Sequence, residues 1–287
     1  MLINAMTMEF SASPAQSEEF AQWLYGLQRS CQQPPLKPRM PLYIGGAHVG
    51  SVEEGIAQRL LQQHFFRQEA GQLVLAPDSA TMVLQDVALW LREKGLAAKW
   101  RDEQLAVLDG SGQTHATVER AVIRTLGMTS VAVHLFGRLA DGRIWLQRRA
   151  LDKATDPGKL DTLAGGLVAA HEPLDVALER ETWEEAGVRW PQVKNVRKGE
   201  MFVVQCPIDE RIGGYMIEQC HWYTAQLADD VLPVNQDGEV AEFALLSPED
   251  MVQAMLAGDC AAEAALIFAR VMGMETNRSH GKGQVGS

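Results

Sequence analysis

The stretch Gly165–Val188 reads GGLVAAHEPLDVALERETWEEAGV and carries the strongest structural signal in the chain. A glycine pair is followed by a proline and then by a helix-forming run that is rich in glutamate. Like charges three and four residues apart on a helix repel each other and weaken an isolated helix. The acids in this run therefore need an explanation other than helix stability.

A helical wheel places three of these acids on one side of the predicted helix. With about 100° between successive residues, Glu181, Glu184 and Glu185 fall in the same arc, roughly 120° wide, as the apolar residues of the run. The opposite, solvent side is predicted to carry Glu179, Trp183 and Ala186. We therefore expect the three acids to face the interior.

Inward carboxylates are costly unless they are paired, protonated or bound to metal. Glu181 and Glu185 are one helical turn apart and Glu184 is adjacent, so three hard oxygen donors can converge on Mg²⁺ or Mn²⁺. Arg180 precedes Glu184 by four residues and can orient its carboxylate. The alternative is an ordinary solvated helix with salt bridges between successive turns.

The spacing of the whole stretch favours the metal site over that alternative. In order, the run has glycine, five residues, Glu, seven residues, Arg-Glu, two residues, Glu-Glu, one residue, Gly and an aliphatic residue. This pattern resembles the Nudix box, and its fixed residues here are Gly166, Glu172, Arg180, Glu181, Glu184, Glu185 and Gly187. Thr182 departs from the box, which usually has an aliphatic side chain there.

The resemblance implies a Mg²⁺-dependent hydrolase, with Mn²⁺ as a substitute, that cleaves a small-molecule diphosphate with water. It implies Glu181, Glu184, Glu185 and the Gly166 carbonyl as metal ligands. It implies catalytic roles for Glu184, Glu185 and Arg180, with Glu184 as the first choice of base. Glu172 and Gly187 would support the site. The implied fold class is α+β, a Nudix α/β/α sandwich with a mixed sheet, preceded by a smaller α+β N-terminal domain.

Residues outside the box are further candidates for the site. Some Nudix enzymes take a base or an extra ligand from a later loop, and Glu239 or Glu242 could supply it here. An ordinary role in a strand or loop is the alternative for both. Upstream, Arg148, Arg149 and Lys153 could bind diphosphate oxygens, or they could simply be solvated at a strand end.

Composition narrows the classes of partner and compartment. The formal charge of −11 argues against a nucleic-acid-binding surface, and no apolar run is long enough for a membrane span. Cys31, Cys206, Cys220 and Cys260 form no CxxC pair, so their spacing predicts neither a zinc site nor a disulfide framework. The opening residues do not resemble a secretory signal. A reducing cytoplasm fits these features best.

The chain is predicted to form two domains and a tail. Residues 1–125 read as an α+β unit, residues 126–274 as the Nudix domain and residues 275–287 as a polar tail. Ala140-Asp141-Gly142 lies between apolar alternations and predicts a hairpin, whereas Ser247-Pro248-Glu249-Asp250 predicts a helix start. The N-terminal unit could cap the pocket, pair two chains into a homodimer, or do both.

One branch of the family matches a longer part of the chain. The matching stretches are LYIGGAHVGSVEEGIAQRL (42–60), KWRDEQLAVLD (99–109), VERAVIRTLGM (118–128) and DPGKLDTLAGGLVA (156–169). They resemble the Nudix domain fused to thiamine pyrophosphokinase, and stand-alone bacterial relatives of it. The resemblance implies action on thiamine diphosphate or its oxidised forms, which would release the monophosphate and phosphate.

Other functions stay open on the sequence alone. The same chemistry could act on a nucleoside diphosphate conjugate such as ADP-ribose. A ligand-sensing Nudix-like module without catalysis belongs to another functional class, although such a module need not keep three metal-binding acids. A relative of isopentenyl diphosphate isomerase is the least favoured, because no cysteine lies near where that chemistry would need one.

Overall fold

The computed structural model of the chain describes residues 14–153 and 155–274, and the predicted tail lies outside these ranges. In the N-terminal half, the elements are α1 (Pro14–Ser30), β1 (Arg39–Ile44), β2 (Ala47–Glu53), α2 (Glu54–Gln62), β3 (Arg67–Glu69), β4 (Gln72–Leu75), α3 (Ala80–Glu93), β5 (Gln104–Leu108) and β6 (Thr114–Glu119). Strands β1 to β4 form one sheet in the order β2-β1-β4-β3, and β5 pairs with β6. Helices α2 and α3 share one buried apolar cluster with the four-stranded sheet.

The C-terminal half continues with β7 (Thr129–Arg138), β8 (Ile144–Arg149), β9 (Leu160–Asp161), β10 (Ala164–Leu167), α4 (Leu174–Ala186), β11 (Val193–Lys198), β12 (Phe202–Pro207), β13 (Tyr215–Leu227), β14 (Val240–Leu246), α5 (Pro248–Leu256) and α6 (Ala262–Val271). Its eight strands form a single sheet with the path β11-β13-β7-β8-β14. Strand β10 pairs with β7, β12 with β13 and β9 with β8. The β7–β13 pair is parallel and the other pairs are antiparallel, so the sheet is mixed, as predicted.

Helices cover both faces of this large sheet. Val133 and Leu135 of β7 pack with Ala177 and Leu178 of α4 on one face. Phe136 of β7 packs with residues of α1, α5 and α6 on the other face. Because successive side chains of a strand point to opposite faces and both faces are covered, β7 is buried along most of its length. The predicted α+β class with an α/β/α sandwich is therefore confirmed.

Helix α1 packs against the C-terminal sheet, although it precedes the four-stranded sheet in the chain. Phe20 and Leu24 are 6% and 1% exposed and belong to the cluster that contains Phe268 of α6. Gln32 and Gln33, which follow α1, hydrogen-bond to the backbone of β12. The C-terminal sheet thus uses an N-terminal helix as part of its cover. The division of the chain near residue 125 stays a prediction.

Two local predictions are met by the structure. Strands β7 and β8 form an antiparallel hairpin whose turn contains Asp141 and Gly142, and Gly142 has a φ of 92°, which glycine adopts without a side-chain clash. Helix α5 begins after Ser247, whose hydroxyl accepts a hydrogen bond from the Asp250 backbone amide. Over the described ranges, no helix combines the length and the apolar character that crossing a bilayer requires.

The packing of α1 can be tested by shortening one buried side chain. We expect Leu24→Ala to lower the free energy of unfolding by roughly 2–5 kcal/mol, because it leaves a cavity under α1. Exposed Gln22 on the same helix gives a control, and Gln22→Ala should change stability by no more than about 0.5 kcal/mol. Urea unfolding of both variants measures the difference. Equal stabilities would show that α1 does not pack on this core in solution.

Candidate functional site

Helix α4 has clear limits in sequence. Pro173 stands at its N-cap in an extended conformation, and Gly187 ends it with a φ of 63°. The backbone N–H of Gly187 bonds back to the Trp183 carbonyl at 2.8 Å. A Cβ at position 187 would lie 2.6 Å from the Val234 carbonyl oxygen, so glycine is required by conformation and by space. The helix therefore ends at Gly187, where the segment containing Val234 passes close to its C-terminus.

Two of the three helix acids are buried. Glu181 and Glu185 are 8% and 2% exposed, whereas the side chain of Glu184 is 44% exposed. Glu184 therefore does not lie inward to the same extent, and the helical-wheel expectation was wrong for it. It was also wrong for Ala186, which is fully buried. Ala186 lies in the apolar cluster that α4 shares with β7 and β13, and the Val234 N–H bonds to its carbonyl at 2.8 Å.

The carboxylate of Glu185 is held from three directions. Its Oε2 accepts hydrogen bonds from the Gly165 backbone N–H at 2.8 Å and from Nε2 of Gln147 at 2.7 Å. Its Oε1 lies 3.7 Å from Nζ of Lys153. Helix α4, the β10 backbone and strand β8 together determine where this group lies.

The carboxylate of Glu181 lies directly on the β10 backbone. A Cβ at position 166 would collide with the carboxyl group of Glu181, so only glycine allows this approach. Nη1 of Arg180 donates to Glu181 Oε1 at 2.7 Å. The glycine pair Gly165-Gly166 thus brings two buried carboxylates close to a strand backbone.

Arg180 links the supporting acids. Its Nε and Nη2 each lie 2.9 Å from an oxygen of Glu172, a two-pronged charge-assisted pair. Its Nη1 also reaches Glu184 Oε2 at 3.0 Å, and its Nη2 donates to the Leu167 carbonyl at 3.2 Å. One guanidinium therefore contacts three carboxylates and the strand that leads into the helix.

Burial raises the pKa values of both inward glutamates. Desolvation raises the pKa of Glu185 to about 8, although Lys153 opposes this shift. Desolvation likewise raises the pKa of Glu181 to about 6 against the opposing charge of Arg180. The hydrogen bonds from Arg180 lower the pKa of Glu172. The positive charges of Arg180 and Lys153 therefore offset only part of the cost of burying these two carboxylates.

This arrangement fits a hard divalent cation. Glu181, Glu184 and Glu185 offer carboxylate oxygens from neighbouring positions of one helix, and the β10 backbone at Gly166 lies against the first of them. Mg²⁺ and Mn²⁺ prefer such oxygen ligands. A bound cation would also supply the positive charge that the two buried groups lack.

Lys153 and Glu239 lie beside these acids. Nζ of Lys153 makes a short hydrogen bond to Glu239 Oε2 while it faces Glu185. Nη1 of Arg101, from the N-terminal half, donates to Glu239 Oε1 at 3.0 Å. Desolvation would raise the pKa of Glu239, but Lys153 and Arg101 outweigh it and lower that pKa to about 2. Glu239 is therefore ionised and tied to Glu185 through one lysine.

The other upstream and downstream candidates are engaged elsewhere. Arg148 donates from Nε to Glu242 Oε1 at 2.9 Å and also contacts Asp259, so Arg148 and Glu242 pair with each other. Arg149 donates to Asp161 Oδ2 at 2.7 Å and is half-buried. Glu242 is more exposed than Glu239, with 63% of its side chain accessible. Among these candidates, the contacts bring Lys153 and Glu239 to the glutamates of α4.

Sequence reasoning missed two residues of this site. Gln147 is 1% exposed and reaches Glu185, but a glutamine between a leucine and an arginine in WLQRR gives no signal of its own. Arg101 comes from a stretch quoted above for its resemblance to a family branch, where no role was assigned to it. Only the pairing of β8 with its neighbours and the packing of the two halves place these side chains at the site.

Comparison with known proteins identifies the family of the C-terminal half. Residues 128–266 match the family model described as the NUDIX domain. "Nudix hydrolase 24, chloroplastic" of Arabidopsis thaliana is 30% identical over 220 residues, which is 72% of this chain and 59% of that protein. "Nudix hydrolase 20, chloroplastic" of the same plant is 30% identical over 175 residues, 59% of this chain and 46% of that protein. The chain thus spans about half the length of these two curated relatives.

The first alignment reaches beyond the matched domain. Residues 128–287 number 160 of 287, so a match to 72% of the chain must include N-terminal residues. Among solved structures, DR0079 from Deinococcus radiodurans is 22% identical, with a TM-score of 0.47, over 59% of this chain and 99% of that one. Residues 128–266 contain the glycine pair, all of α4, Lys153 and Glu239. This chain therefore carries a NUDIX domain over residues 128–266.

Proposed function

We propose that this chain is a Nudix hydrolase that uses a divalent cation, Mg²⁺ or Mn²⁺, to cleave a diphosphate linkage with water. The observation that carries the proposal is the placement of buried Glu181 and Glu185, with half-exposed Glu184, against the β10 backbone. Ordinary solvated acids would not be gathered in this way. A module that only binds a ligand would not need three such groups.

Each protein group has a distinct part in this reaction. Glu181, Glu184, Glu185 and the Gly166 carbonyl would hold the cation, which supplies charge neutralisation for phosphate oxygens and acidifies water. Glu184 is the base we favour, because its exposed carboxylate is accessible to a water molecule and is oriented by Arg180. Glu172 holds Arg180 in place through the two-pronged pair. Lys153 can contact a substrate phosphate or the acids.

Thiamine diphosphate, or an oxidised form of it, is the substrate that we favour. The support is the set of branch-like stretches over residues 42–169, together with an alignment to a relative that extends into the N-terminal half. Arg101, which belongs to that half, donates a hydrogen bond to Glu239 at the edge of the site. Hydrolysis would give thiamine monophosphate and phosphate. A nucleoside diphosphate conjugate such as ADP-ribose is the second candidate, and a non-catalytic sensor is the third.

Two further features belong to this proposal. The four cysteines are free thiols, which supports a reducing compartment such as the cytoplasm. The N-terminal half caps the site in our proposal, because Arg101 and the Gln104 carbonyl both contact the segments that lead to α4 and Glu239. A homodimer built through that half stays a prediction from the sequence.

The substrate assignment is tested by comparing kcat/KM for thiamine diphosphate, its oxo form and ADP-ribose with Mg²⁺. We expect the thiamine compounds to be preferred, and reaction in ¹⁸O-labelled water to show which phosphorus atom water attacks. A preference of about tenfold or more for ADP-ribose, or roughly 1.4 kcal/mol in transition-state binding, would overturn the thiamine assignment. Tight binding without turnover across the panel would favour the sensor.

The role of the buried glutamates is tested by Glu185→Gln. This change replaces a charged ligand with a neutral one of the same shape, so we expect kcat to fall by about 10²-fold or more. Glu179→Gln, on the exposed face of the same helix, should leave kcat nearly unchanged. Circular dichroism of both variants separates a catalytic loss from a folding loss. A rate for Glu185→Gln equal to that of the wild type contradicts the assignment.

The raised pKa of Glu185 predicts how pH changes the stability of the metal-free protein. Because the folded state binds this proton more tightly than the unfolded state, the contribution is full at low pH and is lost as pH rises through about 8. In EDTA, the Tm should therefore fall more steeply from pH 6 to pH 9 for the wild type than for Glu185→Gln. Added Mg²⁺ should raise the Tm most at the alkaline end. Identical slopes for the two proteins would count against a buried, titrating Glu185.

A further inference from the structure

The face of the large sheet opposite α4 carries a second group of buried polar side chains. Strands β7 and β13 are parallel, with Ser130 beside Glu218, Ala132 beside Cys220 and His134 beside Trp222. Val133 and Leu135 face α4, so the alternation of side chains along β7 places His134 on the other face. Glu218 and Cys220 share that face, because they are two residues apart on β13.

Three of these side chains meet at one point. A ring nitrogen of His134, a carboxylate oxygen of Glu218 and Sγ of Cys220 all lie within 4.8 Å of one another. Their exposed fractions are 7%, 6% and 0%, so solvent does not separate them. Metal–ligand bonds of about 2.0–2.3 Å place the donor atoms of a tetrahedral site roughly 3.3–3.8 Å apart, so small side-chain rotations would close this group around one small cation.

The hydrogen bonds of this group are incomplete. Glu218 accepts from the Ser130 hydroxyl at 3.1 Å and lies 3.7 Å from Nη2 of Arg124. Nδ1 of His134 lies 3.4 Å from Oγ1 of Thr162. Nε2 of His134 is buried and has no hydrogen-bond partner within residues 14–153 and 155–274. A buried ring nitrogen without a partner costs free energy, which a ligand at that nitrogen would recover.

We propose that His134, Glu218 and Cys220 form a second cation site, which takes a borderline divalent transition metal such as Zn²⁺. Imidazole, thiolate and carboxylate are zinc ligands, whereas Mg²⁺ prefers oxygen alone. The acids of α4, in contrast, offer only oxygen donors. The two sites therefore select different ions by the chemistry of their ligands. This inference does not depend on the proposed hydrolase function.

The proposed site lies directly behind the glycine that holds Glu185. A Cβ at position 165 would lie 2.7 Å from Nδ1 of His134, so the imidazole packs on that glycine. A metal there would tie β7 to β13 beside β10. When Cys220 binds, its thiol proton is released to solvent as the sulfur–metal bond forms. Because the group is buried, we expect the ion to be taken up as the chain folds.

The first test is the metal content of the full-length wild-type protein. We expect protein expressed with added Zn²⁺, and purified without chelator, to retain about one zinc ion per chain in excess Mg²⁺, which is added to compete for the α4 acids. X-ray absorption at the zinc edge should show one sulfur ligand at about 2.3 Å together with nitrogen or oxygen ligands. Protein that retains no zinc, or zinc without a sulfur ligand, overturns the proposal without the use of any variant.

The second test uses cobalt as a spectroscopic probe. Refolding in Co²⁺ with excess Mg²⁺ should produce a thiolate-to-cobalt charge-transfer band, which Cys220→Ser and His134→Gln should abolish. Cys206→Ser removes a half-buried thiol elsewhere on β12 and should keep the band, as should Glu185→Gln. Loss of the band in Glu185→Gln but not in Cys220→Ser would assign the ion to α4 and overturn the proposal. A folded wild-type protein without any such band would do the same.

Discussion

The site depends on bringing two carboxylates of one helix against the backbone of one strand. Glu181 can lie on β10 only because Gly166 has no side chain, and Glu185 is held by the N–H of Gly165. Burial of both groups is unfavourable while they are charged, and it raises the pKa of each carboxyl. The surrounding donors, Arg180, Gln147 and Lys153, reduce this cost without removing it. A divalent cation would remove much of the remaining cost.

Charge connects the two halves of the chain at this site. Arg101 contacts Glu239, Glu239 contacts Lys153, and Lys153 faces Glu185. The Ala170 N–H also bonds to the Gln104 carbonyl at 2.7 Å, so β5 contacts the loop between β10 and α4. The N-terminal half therefore contacts the residues of the site directly. In the proposed reaction it would close one side of the space in which a substrate binds.

Strand β7 separates two kinds of polar chemistry. On the face towards α4 lie carboxylates and a backbone carbonyl, which suit hard cations. On the opposite face, His134 lies near Glu218 and Cys220. Gly165 contacts both groups, because its backbone N–H donates to Glu185 and the His134 imidazole lies against it. Cysteine spacing in sequence gave no indication of the second group, because its members are 84 and 86 residues from His134 along the chain.

The sequence by itself determined the elements and the acids of the site. The Nudix box is one continuous stretch, residues 166–188, and the Asp141-Gly142 turn and the Ser247 cap act through immediate neighbours in the chain. Tertiary structure decided which side chains meet. Ala186 packs among side chains of β7 and β13, Arg148 pairs with Glu242 and Asp259, Gln147 reaches the site from β8, and Arg101 reaches it from the loop before β5. These contacts join residues tens to more than a hundred positions apart, so no local period or spacing records them. They follow from strand register and from the packing of the two halves.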